Sequence, residues 1–216
     1  MKFYAVRKGE KVGIYTDWNE CKKQVIGYKG AEYKAFTLEA DAVAYIEKID
    51  NIETIDDSLP YAYIDGSYSK SKRIYSYGGF ISYNGNISII QGTGDAADYI
   101  QYANITGEVR GAIEVIRQAI QRGIKEINLY YDYVGIKYWI TGEWKCDNKL
   151  TTYYRDYCNK RKHLLKVHFI HVKGHTGNEG NEIADLLAKE VIGAKTTKKQ
   201  AVMLENFKSK AQSIYT

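Results

Sequence analysis

The pattern of hydrophobic and polar residues divides the chain into segments of different period. Lys2 to Arg7 and Val12 to Tyr15 are short apolar and aromatic runs around the turn Lys8-Gly9-Glu10-Lys11, which predicts two short strands. Helical spacing follows at once. Asp17 stands at an N-cap position with Glu20 three residues on as its capping-box partner, and Trp18, Cys21, Val25 and Ile26 fall on one face. Glu32 to Phe36 has strand character, and Thr37 starts a second helix lined by Ala40, Val43, Ala44 and Ile46. The order strand, strand, helix, strand, helix gives a small α/β domain over residues 1–49, near the lower size limit for an independent core.

Residues 50–60 break the pattern. They hold four acids, no basic residue and the only proline of the chain, Pro60, and form an acidic linker between two domains. Three strand-like runs follow, Tyr61 to Ser69, Ile74 to Tyr83 and Ile87 to Gln91, the last two joined by the hairpin signal Asn84-Gly85-Asn86. Val109, Ala112, Ile113, Ile116 and Ile120 then predict a helix from Thr106 to Arg122, stopped by Gly123. Ile127 to Tyr131 is an apolar run of parallel-strand type. Short helices near Val134 to Ile140 and Thr151 to Lys162, a strand at Leu165 to Val172 and a helix from Glu179 to Ile192 complete a domain over residues 61–194. A meander leading into alternating helices and strands implies a mixed sheet flanked by helices. Residues 195–216 read as a solvated basic tail, with Val202, Leu204 and Phe207 at the spacing of a short amphipathic helix.

Composition narrows the function. With 216 residues, 44% of them hydrophobic, the chain can bury a core, and its apolar runs are far shorter than the roughly 20 residues that span a bilayer. No membrane role and no signal or transit peptide is expected. Cys21, Cys146 and Cys158 are odd in number and widely spaced, which fits neither a disulfide framework nor a zinc cluster and points to a reducing, cytoplasmic setting. The net charge of +5 permits a nucleic-acid partner without requiring one.

Four acids stand out. Asp65 follows the apolar strand residues Tyr63-Ile64 and precedes Gly66-Ser67, Glu108 sits at the start of the long helix, and Asp132 ends the strand Asn128 to Tyr131. Asp185 is crowded by Ile183, Ala184, Leu186, Leu187 and Ala188, so its carboxylate needs a cation or a dense set of donors. Singly, each has a bland reading as a solvated cap. Together at one sheet edge, they would repel unless hard cations lay between them, and oxygen-only ligation suits two Mg²⁺ ions, with Mn²⁺ as substitute. Two such ions clamp the attacking and leaving oxygens of a phosphodiester displacement.

The combination Asp65-Gly66-Ser67, Gly107-Glu108, Tyr131-Asp132 and Val172-Lys173-Gly174-His175-Thr176-Gly177 running to Asn181-Glu182-Ile183-Ala184-Asp185 resembles type 1 ribonuclease H over residues 61–192. The resemblance implies a ribonuclease H-like mixed five-stranded sheet. It also implies Asp65, Glu108, Asp132 and Asp185 as metal ligands and catalytic residues, with His175 assisting proton movement or product departure from its loop. Ser67, Asn104, Thr176 and Asn181 would meet nucleic acid. His163, His168 and His171 carry no motif and default to structure. Departures matter too. Ile105 follows Asn104 where the family often has a second polar groove reader, and the 42 residues between Asp132 and His175 leave no room for a long basic protrusion.

Phe3 to Gly9, Gly13-Ile14-Tyr15, Trp18 to Cys21, Gln24-Val25, Gly27 and Lys34-Ala35-Phe36 are similar to the hybrid-binding, viroplasmin-like module that precedes many such enzymes. Tyr4, Arg7, Trp18, Tyr33 and Lys34 are the implied nucleic-acid contacts, while Phe3 and Phe36 belong to the core. Ala35 replaces a frequent second lysine. The resulting expectation is an endoribonuclease that cuts the RNA strand of RNA/DNA hybrids, leaving 5′-phosphate and 3′-hydroxyl ends, as a monomer with no obligate protein partner. Another nuclease of the same superfold, such as a junction resolvase, and a non-catalytic hybrid-binding protein are the alternatives.

Overall fold

A computed structural model describes residues 2–37, 42, 45, 46, 55–95, 102–174 and 177–212, with residues 103, 104 and 212 described by backbone alone. The chain divides into two units, Met1–Asp56 and Asp57–Thr216.

In the first unit, β1 (Phe3–Lys8), β2 (Gly13–Tyr15) and β3 (Glu32–Phe36) form an antiparallel sheet of order β2-β1-β3, and α1 spans Trp18–Val25. Asp17 caps α1 as its sequence predicts. Its Oδ1 accepts from the backbone N–H groups of Asn19 at 2.7 Å and Glu20 at 3.1 Å, but the Glu20 carboxylate pairs with Lys23 at 2.7 Å instead of closing the box. The buried face of α1 is narrower than its periodicity implies. Cys21 and Val25 pack on Val6, whereas Trp18 is 39% and Ile26 64% exposed. Residues 42, 45 and 46 are helical, with Ala42 buried and the Tyr45 ring 5.4 Å from Phe36, which is itself half-buried. Ala40, Val43 and Ala44 lie outside the described residues, as do residues 50–54 of the acidic linker.

The second unit contains β4 (Tyr61–Ser69), β5 (Ile74–Tyr83), β6 (Asn86–Gly94), α2 (Ala103–Gln121), β7 (Glu126–Tyr131), α3 (Gly135–Thr141), α4 (Lys149–Asn159), β8 (Lys166–His171), α5 (Glu179–Val191) and α6 (Lys198–Gln212). Its sheet has the order β6-β5-β4-β7-β8, antiparallel across the first three strands and parallel across the last three. Alternation sorts each strand into two faces. Ala62, Ile64, Ile127 and Leu129 join Val109, Ala112 and Ile116 of α2 and Leu150 and Tyr154 of α4 in the larger core, while Phe80 meets Ile183, Leu186 and Leu187 of α5 on the other side.

Two features depart from the sequence reading. The long helix begins at Ala103 and not at Thr106, so Glu108 lies in its second turn, not its first. The basic tail is not a solvated extension. Residues 198–212 form α6, which buries Leu204, Phe207 and Ala211 and sets the Phe207 ring 4.7 Å from Phe80. A helix this short gains its order from such packing more than from propensity. Val202, one of the three apolar residues expected on its inner face, is instead 55% exposed. Among the described residues no helix is long and apolar enough to cross a membrane.

Candidate active site

The parallel pairing of β4 with β7 ends at Tyr63↔Tyr130, and Asp65 and Asp132 each stand two residues beyond that pair. Register alone therefore brings two distant carboxylates side by side just past the point where the parallel pairing of the two strands ends. Glu108 joins them because α2 starts hard against the sheet. A Cβ built on Gly107 would lie 2.8 Å from the Gly66 Cα and 2.2 Å from the Ser76 carbonyl oxygen, an approach that only glycine permits. Ligand oxygens of Asp65, Glu108 and Asp132 all fall within 4.8 Å of one another.

This cluster is electrostatically costly. Asp65 and Glu108 are only 8% and 6% exposed. Burial first, and then the charge of Asp132, pushes the Asp65 carboxyl up to about 7, even though its Oδ1 accepts the Gly66 N–H at 2.6 Å. Glu108 is raised well above the usual carboxylate range by burial and then by the charges of Asp65 and Asp132. Its Oε2 is buried with no hydrogen-bond partner among the described residues. An all-oxygen, densely anionic group with an orphaned carboxylate oxygen fits a hard divalent cation.

Asp132 is held from several directions. Asn181 of α5 donates its Nδ2 to the Asp132 Oδ2 at 3.3 Å, and His171 lies 3.0 Å from its backbone oxygen. Gly174 approaches so closely that a Cβ there would sit 2.7 Å from the same Oδ2. Asn181, expected to meet nucleic acid, is 4% exposed and packs its amide against the Asp132 carboxylate. Asp185 is not in the three-acid group. Its neighbour one helical turn on, Lys189, supplies the cation that its apolar surroundings demand, at 2.6 Å, while its charge still bears on Asp65. Ser67 is half-buried on β4, two residues from Asp65. His175 and Thr176 lie outside the described residues, and so does the side chain of Asn104.

Two features beside the acids escape the sequence reading. One is the contact of His171 with Asp132. The other is a cavity of about 420 Å³ lined by Tyr102, Tyr133, Trp139, Trp144, Lys145 and Asn148. A signal for it is present, since Tyr133 directly follows Asp132 and two tryptophans come within the next dozen residues.

In the first unit, Trp18 lies between Tyr4, at 5.3 Å, and Tyr33, at 5.8 Å between ring centroids, so three of the five implied contacts form one aromatic patch. The two cations do not join it. In the β1–β3 register Tyr33 pairs with Val6 and Lys34 with Ala5, which turns Lys34 to the opposite face of the sheet, over the Phe36 ring at 5.5 Å. Arg7 is paired with Glu32 at 3.5 Å.

The raised pKa of Asp65 makes a stability prediction. A carboxyl whose folded-state pKa lies above its unfolded value stabilises the fold below the unfolded value, and that contribution is lost as pH rises through the folded one. In EDTA, Asp65→Asn should therefore melt higher than the wild type at pH 8, with the gap closing as pH falls through about 7 towards 4. Added Mg²⁺ should raise the wild-type midpoint and leave the variant nearly unmoved. Equal melting of the two proteins across this range in EDTA would refute the cost assigned to the cluster.

Comparison with known proteins agrees with this geometry. A family model described as the ribonuclease H1 N-terminal domain matches residues 2–46, and one described as RNase H matches residues 60–193. The chain is 28% identical to human ribonuclease H1 over 258 aligned positions, covering 89% of each chain, and 57% identical to ribonuclease H of Saccharomyces cerevisiae over 44 residues, 20% of this chain and 13% of that one. Among solved structures, RNase H1 from the halophilic archaeon Halobacterium salinarum NRC-1 superposes with a TM-score of 0.52 at 23% identity, over 62% of this chain and 98% of that chain, a likeness of fold. The matched catalytic model spans more than half of the chain and contains all four acids, and the chain therefore belongs to the RNase H family of nucleases, with a ribonuclease H1 N-terminal domain ahead of its RNase H domain.

Proposed function

We propose that this protein hydrolyses the RNA strand of RNA/DNA hybrids at a two-ion Mg²⁺ centre held by Asp65, Glu108, Asp132 and Asp185, leaving 5′-phosphate and 3′-hydroxyl ends. The observation that carries the reading is the trio of Asp65, Glu108 and Asp132, with ligand oxygens within 4.8 Å of one another, in a domain of this family. Magnesium bound there would neutralise the developing charge of the phosphoryl group and favour ionisation of an attacking water. The residues of the chain do the rest. Asp65 and Glu108 supply fixed, buried ligands, Asn181 keeps the Asp132 carboxylate turned to the site, and Asp185 enters it by giving up Lys189. His175 moves a proton or eases product departure, while Ser67, Asn104 and Thr176 meet the nucleic-acid backbone, with 2′-hydroxyls marking the RNA strand.

In the first domain, Tyr4, Trp18 and Tyr33 would pack on sugars or bases of one strand. Arg7 and Lys34 would reach phosphates from the other face of the small sheet. We further propose a monomeric enzyme with no obligate protein partner. A reducing cytoplasm suits its three free thiols.

Labelled RNA/DNA hybrid, double-stranded RNA and double-stranded DNA, each incubated with Mg²⁺, Mn²⁺ or EDTA, test the reading directly. Only the RNA of the hybrid should be cut, only with metal, and the fragments should accept ligation at a 5′-phosphate. Metal-independent cutting, or cutting of double-stranded DNA, would reject it. For the first domain, Trp18→Ala in the full chain should weaken binding to long hybrid about tenfold, the loss of one stacking contact, while leaving turnover on saturating short hybrid within twofold. Lys34→Ala should make the slope of log affinity against log salt shallower by about one unit. Unchanged affinity and salt slope in both variants would remove the domain from hybrid binding.

A further inference from the structure

We infer that His171 is a positioning residue for the catalytic centre, holding Asp132 in place through its backbone. The inference rests on the reading of Asp132 as a metal ligand. His171 is the last residue of β8 and pairs with Tyr131 in the β7–β8 register, immediately before Asp132. Its Nε2 lies 3.0 Å from the Asp132 backbone oxygen. A carbonyl only accepts, so this Nε2 carries the proton and donates.

The position of that bond gives it a purpose. Regular pairing ends here: the Val172 N–H donates to the Tyr131 oxygen at 2.9 Å, and Asp132 is the first residue past the strand. Past the end of the ladder the imidazole takes up the Asp132 carbonyl and fixes the peptide that carries the Asp132 side chain. The two bonds to Asp132 have separate roles, since Asn181 orients the carboxylate at 3.3 Å and His171 fixes the main chain beneath it. The Tyr131 ring, 5.8 Å from the imidazole, limits where His171 can swing.

His168 provides an internal comparison. It lies on the same strand, but its Nε2 meets Glu126 at 3.0 Å, at the opposite end of β7 from Asp132. Removing either histidine costs the sheet one side-chain hydrogen bond, and only removal of His171 touches a ligand.

The test measures Mg²⁺ binding to the full-length protein by calorimetry, without substrate, for wild type, His171→Ala, His171→Gln and His168→Ala. Hybrid KM, kcat and the melting midpoint in EDTA are recorded alongside. Loss of a group that orients a metal ligand costs on the order of tenfold in metal affinity at the mild end. His171→Ala should weaken Mg²⁺ about tenfold and lower kcat at subsaturating Mg²⁺, with KM for hybrid within twofold. His171→Gln, which can still donate to the carbonyl, should recover most of both. His168→Ala should bind Mg²⁺ as the wild type does, whatever it loses in stability. Unchanged Mg²⁺ affinity in His171→Ala overturns the inference. So does an equal loss in His168→Ala, or a His171→Gln protein no better than His171→Ala. A wild type that binds no Mg²⁺ at all overturns the metal reading itself, a result separate from these.

Discussion

Asp132→Asn should abolish turnover while leaving the fold and the affinity for hybrid nearly intact. Asparagine keeps the shape of the side chain, and its amide oxygen can still accept from Asn181, whose Nδ2 lies 3.3 Å from the present Oδ2. What goes is one negative charge from a group whose ligand oxygens lie within 4.8 Å of one another. A lost ligand in a two-metal site costs several kcal/mol of transition-state stabilisation, and each 1.4 kcal/mol is about a factor of ten, so the rate should drop by roughly a thousandfold or more. Binding should change less than severalfold, because the other contacts proposed for hybrid, including the patch of Tyr4, Trp18 and Tyr33, are untouched. Single-turnover cleavage and a binding isotherm measured in Ca²⁺ decide the matter. A variant that keeps more than about a tenth of wild-type rate would show that Asp132 is not a ligand that matters.

How far the sequence reveals this molecule depends on which force sets each feature. Strands β3, β4 and β5 occupy the predicted residues because short apolar and aromatic runs bounded by turn residues are local signals. The meeting of Asp65 with Asp132 is legible only through the family resemblance. Its cause is the non-local β4–β7 register, which no period in either segment encodes. The start of α2 escapes the periodicity because its N-cap position is held by Tyr102, which makes no side-chain cap bond and carries no capping signal. Helix α6 is hidden for a related reason. Its four lysines dominate its composition, while its order comes from Leu204 and Phe207 reaching Phe80 and Leu187 across the fold. His171 is invisible in the same way, since its partner is a backbone carbonyl, and a backbone atom leaves no mark in a sequence.

The second large effect is expected at a residue with no side chain. Gly107→Ala should cost about a hundredfold in turnover in a protein that still folds. The added Cβ would fall 2.2 Å from the Ser76 carbonyl oxygen, 2.8 Å from the Gly66 Cα and 3.2 Å from the Ser67 nitrogen. All three are main-chain atoms of paired strands, so no side chain can rotate away and the start of α2 must lift off the sheet. Overpacking of this kind costs about 1–3 kcal/mol, of which the better helix propensity of alanine returns up to about 1. The catalytic loss is larger than the stability loss because Glu108 is the next residue. Any lift of the helix carries its carboxylate away from Asp65 and Asp132, and a misplacement of about 1 Å is worth on the order of 10² in rate. Gly111, one turn further along α2, is the control. A Cβ there would meet the Tyr77 Cβ at 3.4 Å and the Ile64 Cβ at 3.5 Å, which is ordinary contact. Gly111→Ala should therefore match or exceed wild-type stability and keep its rate within about twofold, since replacing a helical glycine is worth up to about 1 kcal/mol. Thermal melting and kcat measured on both variants separate the two causes. If Gly107→Ala retains more than about a third of wild-type turnover, the close approach of α2 to the β4–β5 backbone does not set the position of Glu108.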